Sequence, residues 1–305
     1  MGFVDDFYYG QCRLICKTTS SADNGKTVSI ASSGGRTWSG TMASLQCEFM
    51  LPPRDVYTVS LIDNGNTQYT TKVIAGYGEC LEVMVGLDKT TPLGIKAIVN
   101  AGLEDDFFQA GDQVLVNEGG SDVRYDVVHV GYRKALYGHN IVLQRHDCMT
   151  QTKAMNSSNT NAGGYKQTLM AAYLDNEVYE SYSQAWQDAI SEITFQASIG
   201  SQSTTLQNEE HKVWLPMEYN IFGATTYAAG TEHTTGGNEQ FAYYATAANR
   251  IKSINGAACV WWECSPYVGT STLFCVVNTS GDASYGNASG AYGVAPCFMI
   301  AADAA

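Results

Sequence analysis

Residues 260–300, VWWECSPYVGTSTLFCVVNTSGDASYGNASGAYGVAPCFMI, carry the strongest fold signal in the chain. Two tryptophans open the stretch. Two short apolar runs, LFCVV at 273–277 and VAPCFMI at 294–300, have the length and composition of buried strands. The residues between these runs are mostly Ser, Thr, Gly, Asn, Ala and Tyr, with almost no charge. The pattern predicts a rigid apolar frame that carries polar, tyrosine-containing loops.

The composition favours a β-rich protein with uncharged loops. The chain has 305 residues, enough for one large domain or two ordinary ones. Charged residues make up 15%, below the usual quarter or so, whereas Tyr (19) and Gly (30) are plentiful. The net charge of −13 has the wrong sign for a nucleic-acid-binding protein, so we expect no nucleic-acid partner.

The start of the chain and the cysteines favour folding in a reducing cytoplasm. The opening MGFVDDFYYGQCRL lacks the features of a secretory signal, and Asp6 replaces the Ser or Thr that myristoylation requires. No stretch approaches the ~20 apolar residues of a membrane helix, so we expect no membrane insertion. The nine cysteines are odd in number and irregularly spaced, so we expect most of them to be buried and reduced.

The first part of the chain predicts an N-terminal arm and a small β module. Residues 1–25 form the arm, with one strand near 12–18. Residues 26–88 contain six short segments with strand alternation: TVSIA, RTWSG, LQCEFML, YTVSLID, QYTTKVIAG and CLEVMVG. The turn DNGN at 63–66 predicts a tight hairpin, because Asn-Gly tolerates positive φ. This spacing is typical of a small, immunoglobulin-like β-sandwich.

The second part predicts an α+β domain over residues 92–305. DKTTPLG at 88–94 ends the strand pattern, although one continuous β domain is an alternative. TTPLGIKAIVNAG has cap, proline and glycine signals of a short helix, and segments 108–133 and 140–149 resemble paired strands. Trp186, Ala189, Ile190 and Ile193 have helical spacing, which predicts an amphipathic helix over 181–196. The long polar connections predict that the binding surface lies on loops.

Several segments together resemble a known family. They are GIKAIVNAGLEDDFFQAGDQV, LQRHDCM, KVWLPMEYNIFG, NRIKSINGAACVWWECSP and GAYGVAPCF, in this order. They resemble a domain of predicted tail and surface proteins from phages and prophages of gut bacteria. That domain is similar to the C-type-lectin-like fold of formylglycine-generating enzyme and of the variable proteins of diversity-generating retroelements. The resemblance covers about residues 92–300, and residues 26–86 more weakly resemble the β modules that precede such domains.

The chain departs from the family pattern at two points. Glu263 and Cys264 stand where the family has Leu-Arg, and Ala295 stands where it often has Arg. In the retroelement systems, mutation of template adenines converts Asn codons to codons for Tyr, Ser, Thr, Asp, Gly, Ala and others, and residues 260–300 are rich in that set. The resemblance therefore implies loops that are diversified, with a biased surface composition as the alternative.

The candidate ligand-binding residues follow from this loop chemistry. Tyrosine offers a large contact area with few rotors, and Ser, Gly and Asn add adaptable hydrogen bonds, as in antibody paratopes. The two tryptophans have a structural alternative, one in the core and one near the surface or a second sheet. The loop at 224–246 has a similar composition and is expected to border the same surface. The candidates are Trp262, Glu263, Cys264, Tyr267, Thr270, Thr272, Asp282, Ser284, Tyr285, Asn287 and Tyr292.

No metal, cofactor or catalytic site is predicted. The string RHDC at 145–148 splays its side chains to alternate faces of a strand, and no second His or Cys pair follows at zinc spacing. The calcium-binding strings of C-type lectins do not occur, and no cysteine spacing implies the copper-binding pair of formylglycine-generating enzyme. The hydrolase, P-loop and zinc-protease motifs do not occur either. We therefore expect a protein that is not an enzyme.

The sequence therefore predicts a receptor-binding tail adhesin of a phage or prophage virion, assembled in the bacterial cytoplasm. Its loops would bind a host cell-surface glycan or protein, and its N-terminal region would contact other virion proteins, in a homo-oligomer that is expected to be a trimer. Two alternatives remain open: a structural virion component, such as a decoration or collar protein, and a bacterial carbohydrate-binding adhesin.

Overall fold

The computed structural model describes residues 11–18, 23–85 and 87–303. Much of the predicted N-terminal arm, residues 1–10 and 19–22, lies outside the described residues. The chain divides into two compact units, Met1–Ala101 and Gly102–Ala305. Strands predominate over helices, so the fold is α+β with a larger β content. No helix of the described residues is long and apolar enough to cross a membrane.

The described residues of the first unit form two β-sheets. Its strands are β1 (Cys12–Lys17), β2 (Thr27–Ser32), β3 (Thr37–Thr41), β4 (Gln46–Leu51), β5 (Asp55–Asp63), β6 (Asn66–Ala75) and β7 (Cys80–Met84). One sheet has the order β3-β2-β5-β6, and the other has the order β4-β1-β7. Each of the six segments predicted to be strands forms one. The strand of the predicted arm, β1, lies at the centre of the second sheet.

The two sheets share one hydrophobic core. Leu14 and Leu51 from one sheet and Val28, Ile30 and Val59 from the other belong to the same buried cluster. In β2 and β5 these residues alternate with more exposed ones, because neighbouring side chains of a strand point to opposite faces. Each fully buried aliphatic side chain contributes about 1.5–3 kcal/mol of hydrophobic stabilisation.

The predicted hairpin and the predicted first helix are both present. Asn64 (φ 47°) and Gly65 (φ 82°) connect β5 to β6 with the two positive φ values that a tight turn needs. Helix α1 (Pro92–Asn100) begins after Thr91, whose hydroxyl accepts a hydrogen bond from the Gly94 N–H. The structural division at Ala101 therefore follows this helix, whereas the boundary expected from the sequence at 88–92 precedes it.

The second unit contains four β-sheets and several short helices. The strands are β8 (Gln113–Glu118), β9 (Ser121–Val130), β10 (Asn140–Arg145), β11 (Ile193–Ser198), β12 (Leu206–His211), β13 (Lys252–Ile254), β14 (Ala257–Cys259), β15 (Trp261–Pro266), β16 (Leu273–Val277), β17 (Ala283–Asn287) and β18 (Cys297–Ala301). The α-helices are α2 (Glu104–Phe107), α3 (Lys134–Tyr137), α4 (Leu169–Tyr173), α5 (Tyr179–Ser181), α6 (Gln184–Ala189), α7 (Glu218–Phe222) and α8 (Thr231–Thr234). A π-helical turn, Leu174–Val178, joins α4 to α5, and 3-10 turns cover Tyr165–Gln167, Ala242–Ala245 and Ala247–Arg250.

The sheets of this unit have the orders β18-β10-β9-β8, β15-β16-β17, β11-β12 and β13-β14. The predicted pairing of segments 108–133 and 140–149 is confirmed by β8, β9 and β10. All of β18 and nearly all of β10 are buried, so both faces of this sheet are covered there. For this reason the sequences of β10 (NIVLQR) and β18 (CFMIA) show no alternation of apolar and polar residues.

The predicted amphipathic helix over 181–196 is wrong at its C-terminal half. Helix α6 ends at Ala189, and residue 193 begins strand β11. Ile193, Phe195 and Ala197 are buried at every second position, and β11 pairs antiparallel with β12. Ile193 fits both the helical spacing and the strand alternation that continues at Phe195 and Ala197. Pairing with the following strand, β12, selects the strand.

Candidate functional site

Strand β15 is an internal strand with no exposed residue. The Trp261 indole N–H donates to the Arg250 carbonyl at 2.9 Å, and the Trp262 indole N–H donates to the Lys153 carbonyl at 2.7 Å. Both rings are fully buried, so both tryptophans have a structural role and neither lies near the surface. Three of the predicted site residues, Trp262, Glu263 and Cys264, are therefore not available to a ligand at the surface.

The reason for this correction is that both edges of β15 are occupied. Strand β16 pairs with one edge. On the other edge, the Trp262 N–H donates to the Gly293 carbonyl at 3.0 Å, and the Cys264 N–H donates to the Pro216 carbonyl at 2.9 Å. These residues were predicted to be exposed because they lie next to polar loops in the sequence. That position does not reveal that the strand has partners on both edges.

Three tyrosines form an aromatic cluster that reaches the surface. The rings of Tyr267 and Tyr285 stack at 4.9 Å between centroids, with an interplanar angle of 5°. Tyr227 packs edge-on against both, at 5.5 Å from Tyr267 and 5.1 Å from Tyr285. Tyr285 is 47% exposed, and the other two are half-buried. We call Tyr227, Tyr267 and Tyr285 the tyrosine cluster.

The tyrosine cluster combines two predicted residues with one from the loop at 224–246. That loop was expected to border the same surface, and Tyr227 confirms it. The Val268 N–H donates to the Tyr227 carbonyl at 2.9 Å, which joins the two segments directly. Each aromatic pair of this kind contributes about 0.5–1.5 kcal/mol beyond its buried area, so the rings are held in a fixed arrangement.

The predicted threonines and Asn287 lie at the same end of the β16–β17 hairpin. The hydroxyl oxygens of Thr270 and Thr272 are 3.1 Å apart, and both residues are half-buried. Asn287 is exposed and is the ladder partner of Leu273, the residue after Thr272. These three polar side chains are therefore near the tyrosine cluster, whose Tyr285 is two residues from Asn287 on the same face of β17.

The remaining predicted residues are placed elsewhere on the hairpin. Asp282 is exposed in the turn that connects β16 to β17, about 10 Å along the strand from Tyr285. Ser284 precedes Tyr285 and therefore points to the opposite face. The Tyr292 ring packs 4.8 Å from the Trp262 ring and covers Gly286, so it also lies on the opposite face. The structure does not bring these three residues into the tyrosine cluster.

Asn161 fixes the loop that carries Tyr267. Its side-chain amide donates to the carbonyls of Thr270 at 2.9 Å, Leu273 at 2.8 Å and Tyr267 at 3.3 Å. Its side-chain oxygen accepts a hydrogen bond from the Ser201 N–H at 2.8 Å. Asn161 is fully buried, so these bonds are protected from water. The segment 267–273 is thereby ordered before any ligand binds, which lowers the entropic cost of binding.

Buried carboxyl groups lie beneath the cluster. Glu218 accepts hydrogen bonds from the N–H groups of Tyr227 and Ala228, at 2.8–3.0 Å, and so fixes the base of the Tyr227 loop. Glu232 accepts from the Ser265 hydroxyl at 2.6 Å and the Ser198 N–H at 3.0 Å. Burial raises the pKa of Glu232 to about 7, although these hydrogen bonds oppose the shift. The role of these glutamates was not predicted from the sequence.

Two cysteines remote in sequence meet in the second unit. The sulfur atoms of Cys148 and Cys259 are 3.4 Å apart. The hydrogen bond with Cys148 lowers the pKa of Cys259, and the nearby Lys252 ammonium acts in the same direction. Lys252 itself is buried and donates to the carbonyls of Arg145 and His146. No sequence signal indicated this pair, because its members are 111 residues apart.

The RHDC segment lines a cleft of about 250 Å³ next to this thiol pair. The His146 imidazole contacts both carboxylate oxygens of Asp126 at 2.9 Å, and Asp147 accepts from the Ser253 hydroxyl at 2.5 Å. Cys148 points to Cys259 instead. The three consecutive side chains thus have three separate protein partners, as expected for residues that alternate in direction.

Comparison with known proteins gives a family match and remote structural similarity. Residues 138–302 match the family described as Domain of unknown function (DUF6273). No curated protein matches the chain. Among solved structures, the chain is similar to a fimbrial protein from Bacteroides ovatus ATCC 8483, with 8% identity and a TM-score of 0.25, over 95% of this chain and 71% of that one. The family match includes the whole tyrosine cluster and the carboxyl groups beneath it.

Proposed function

The chain belongs to the DUF6273 family, and we propose that it is a non-enzymatic binding protein of a phage or prophage virion. In this proposal the first unit is a β-sandwich module that contacts other virion proteins. The second unit is a C-type-lectin-like domain that presents loops to a ligand on the host cell. The assembled form is a homo-oligomer, in which several copies raise a modest affinity by avidity.

The observation that supports binding is the tyrosine cluster. It is an aromatic group that reaches the surface and rests on a buried frame, and the hydrogen-bonded hydroxyls of Thr270 and Thr272 follow Tyr267 on the same loop. Tyrosine rings bind the apolar faces of sugars and side chains, and neighbouring hydroxyls supply hydrogen bonds. The loop is already ordered by Asn161, so a ligand meets a prepared surface.

The location of the cluster also supports tolerance of sequence variation. Tyr285 and Asn287 project from β17, which is an edge strand of its sheet, whereas all of β15 and residues 274–277 of β16 are buried. Substitutions at exposed positions of an edge strand leave the core packing unchanged, and surface changes usually alter stability by less than about 0.5 kcal/mol. This separation is what a diversified recognition surface requires.

The proposal is tested by binding of the full chain to a glycan array and to whole bacterial cells. Tyr285→Ala and Tyr227→Ala are expected to weaken binding about tenfold or more, because each removes one aromatic ring of the tyrosine cluster. Tyr77→Ala is the matched control, since Tyr77 is 58% exposed in the first unit. Wild-type affinity in both cluster variants, with retained folding by circular dichroism, would exclude this surface as the binding site.

A further inference from the structure

The most unusual buried group of the chain is the carboxyl group of Glu263. The residue is fully buried in β15, and both of its carboxylate oxygens have no hydrogen-bond partner among the described residues. Leaving a buried polar group unpaired costs about 1–3 kcal/mol, and more for a charged one. A neutral carboxylic acid does not remove the problem, because its O–H also needs an acceptor.

Two other metal-ligating side chains converge on this carboxyl group. One ligand atom each from Glu218, Glu263 and Cys275 lies within 4.8 Å of the others, and all three residues are buried. They come from three elements, α7, β15 and β16. Glu263 follows Trp262 and Cys275 precedes Val276, and Trp262 and Val276 are ladder partners on the two strands. The unpaired oxygens of Glu263 are therefore aimed at a group of donors that can share a cation.

We propose that Glu218, Glu263 and Cys275 bind a structural divalent transition-metal ion of the zinc class. A thiolate ligand disfavours Ca²⁺ and Mg²⁺, which select oxygen donors, whereas Zn²⁺ accepts sulfur and carboxylate ligands together. In a zinc site with bond lengths of about 2.0–2.3 Å, neighbouring donor atoms are about 3.3–3.8 Å apart. The donor atoms, now within 4.8 Å of one another, would need to move closer together to bind the ion.

The charges of the site also fit a divalent cation. Two carboxylates and one thiolate carry three negative charges, and the metal offsets two of them. The N–H groups of Tyr227 and Ala228 already donate to the Glu218 carboxylate and stabilise the remaining charge. Metal binding keeps the Cys275 thiol deprotonated and releases its proton to solvent. Since all three ligands are buried, the ion would enter as the second unit folds.

A metal ion at this site would stabilise the backbone segments that carry the tyrosine cluster. Glu218 fixes the backbone of Tyr227, and Cys275 is the ladder partner of Tyr285. Directly opposed residues on antiparallel strands point to the same face of a sheet. One ion would therefore connect the two segments that carry Tyr227 and Tyr285 to the internal strand β15. This inference concerns the fold of the second unit and is independent of which ligand the surface binds.

The test is the metal content and the cobalt spectrum of the full chain. The protein is denatured with a chelator, refolded with Zn²⁺ or Co²⁺, and separated from free ions before elemental analysis. We expect about one ion per chain and an intense near-ultraviolet thiolate-to-cobalt charge-transfer band. Refolding with Zn²⁺ should raise the thermal midpoint of the protein over refolding with the chelator alone.

Two variants test the proposed ligands, and a third serves as the control. Cys275→Ser should abolish the charge-transfer band, and the nearly isosteric Glu263→Gln should lower the bound metal several-fold and remove the zinc-dependent rise in thermal midpoint. Cys259→Ser is the matched control, because that thiol lies in the other cysteine pair, and it should keep the band. A wild-type protein with no metal above the buffer level overturns the proposal. So does a band that survives in Cys275→Ser or disappears in Cys259→Ser.

Discussion

His211 is expected to make the stability of the second unit depend on pH. Its ring is only 4% exposed at the end of β12. Its Nδ1 atom is 2.5 Å from an Asp175 carboxylate oxygen, and its Nε2 atom is 3.1 Å from a Glu209 oxygen. Burial alone would lower the pKa of His211, but the two carboxylates favour the imidazolium and raise the pKa to about 9.

The magnitude follows from the difference between the folded and unfolded pKa values. The unfolded imidazole titrates near pH 6.5 and the folded one near 9, a difference of about 2.5 units. Since each unit is worth about 1.4 kcal/mol, the protonated ring contributes up to about 3 kcal/mol to the unfolding free energy. This contribution is complete below about pH 6.5. It shrinks as the pH rises from about 6.5 to 9, where only the folded state still holds the proton, and it is lost above about pH 9.

The assay is urea unfolding of wild type and His211→Gln from about pH 6 to 9.5. Other groups titrate in this range, and their effects cancel in the difference between the two proteins. We expect wild type to be the more stable protein at pH 6, and its advantage to shrink by about 3 kcal/mol by pH 9.5. A difference between the two proteins that does not change with pH would show that His211 is not held as the imidazolium, and would refute the reasoning.

Three further outcomes are expected. Iodoacetamide should modify Cys259 faster than Cys148, whose pKa is raised by its hydrogen bond to Cys259, and peptide mass spectrometry showing equal rates would contradict this. Asn161→Ala should lower the unfolding free energy by about 2–3 kcal/mol, because buried carbonyls lose their donors; an unchanged urea midpoint would speak against that role. Gly94→Ala should lower the thermal midpoint of the first unit, since the new methyl group would lie 2.1 Å from the Asp88 carbonyl oxygen. A thermal midpoint equal to that of wild type would show that the backbone at Asp88 and Gly94 moves apart at little cost.

Local features of the fold were predictable where one short segment contains the whole signal. The Asn64–Gly65 turn needs only two positive φ values, and α1 needs only its threonine cap and its proline. The strands of the first unit show apolar-polar alternation because one face of each sheet meets the shared core. Such signals depend on neighbours within a few residues, which the sequence displays directly.

The arrangement of the site was predictable only in part. Tyr267 and Tyr285 were expected to be binding residues, and the loop at 224–246 was expected to lie beside them, which the position of Tyr227 confirms. The burial of Trp262 and the wrong helix end near Ile193 were not foreseen. In both cases the deciding partner lies outside the local pattern, since Trp262 bonds to Lys153 and Ile193 pairs with His211 on the next strand.

The sequence by itself determined the β-rich class, the turns, the first helix and the presence of uncharged tyrosine loops at the carboxyl end. Only the tertiary structure decided which side chains share a site. The Cys148–Cys259 pair is assembled from segments 111 residues apart, and Glu218 joins Glu263 and Cys275 from a separate element, α7. The physical reason is that the burial of a side chain and the charges around it depend on how distant strands pack together. Local sequence patterns do not reveal that packing.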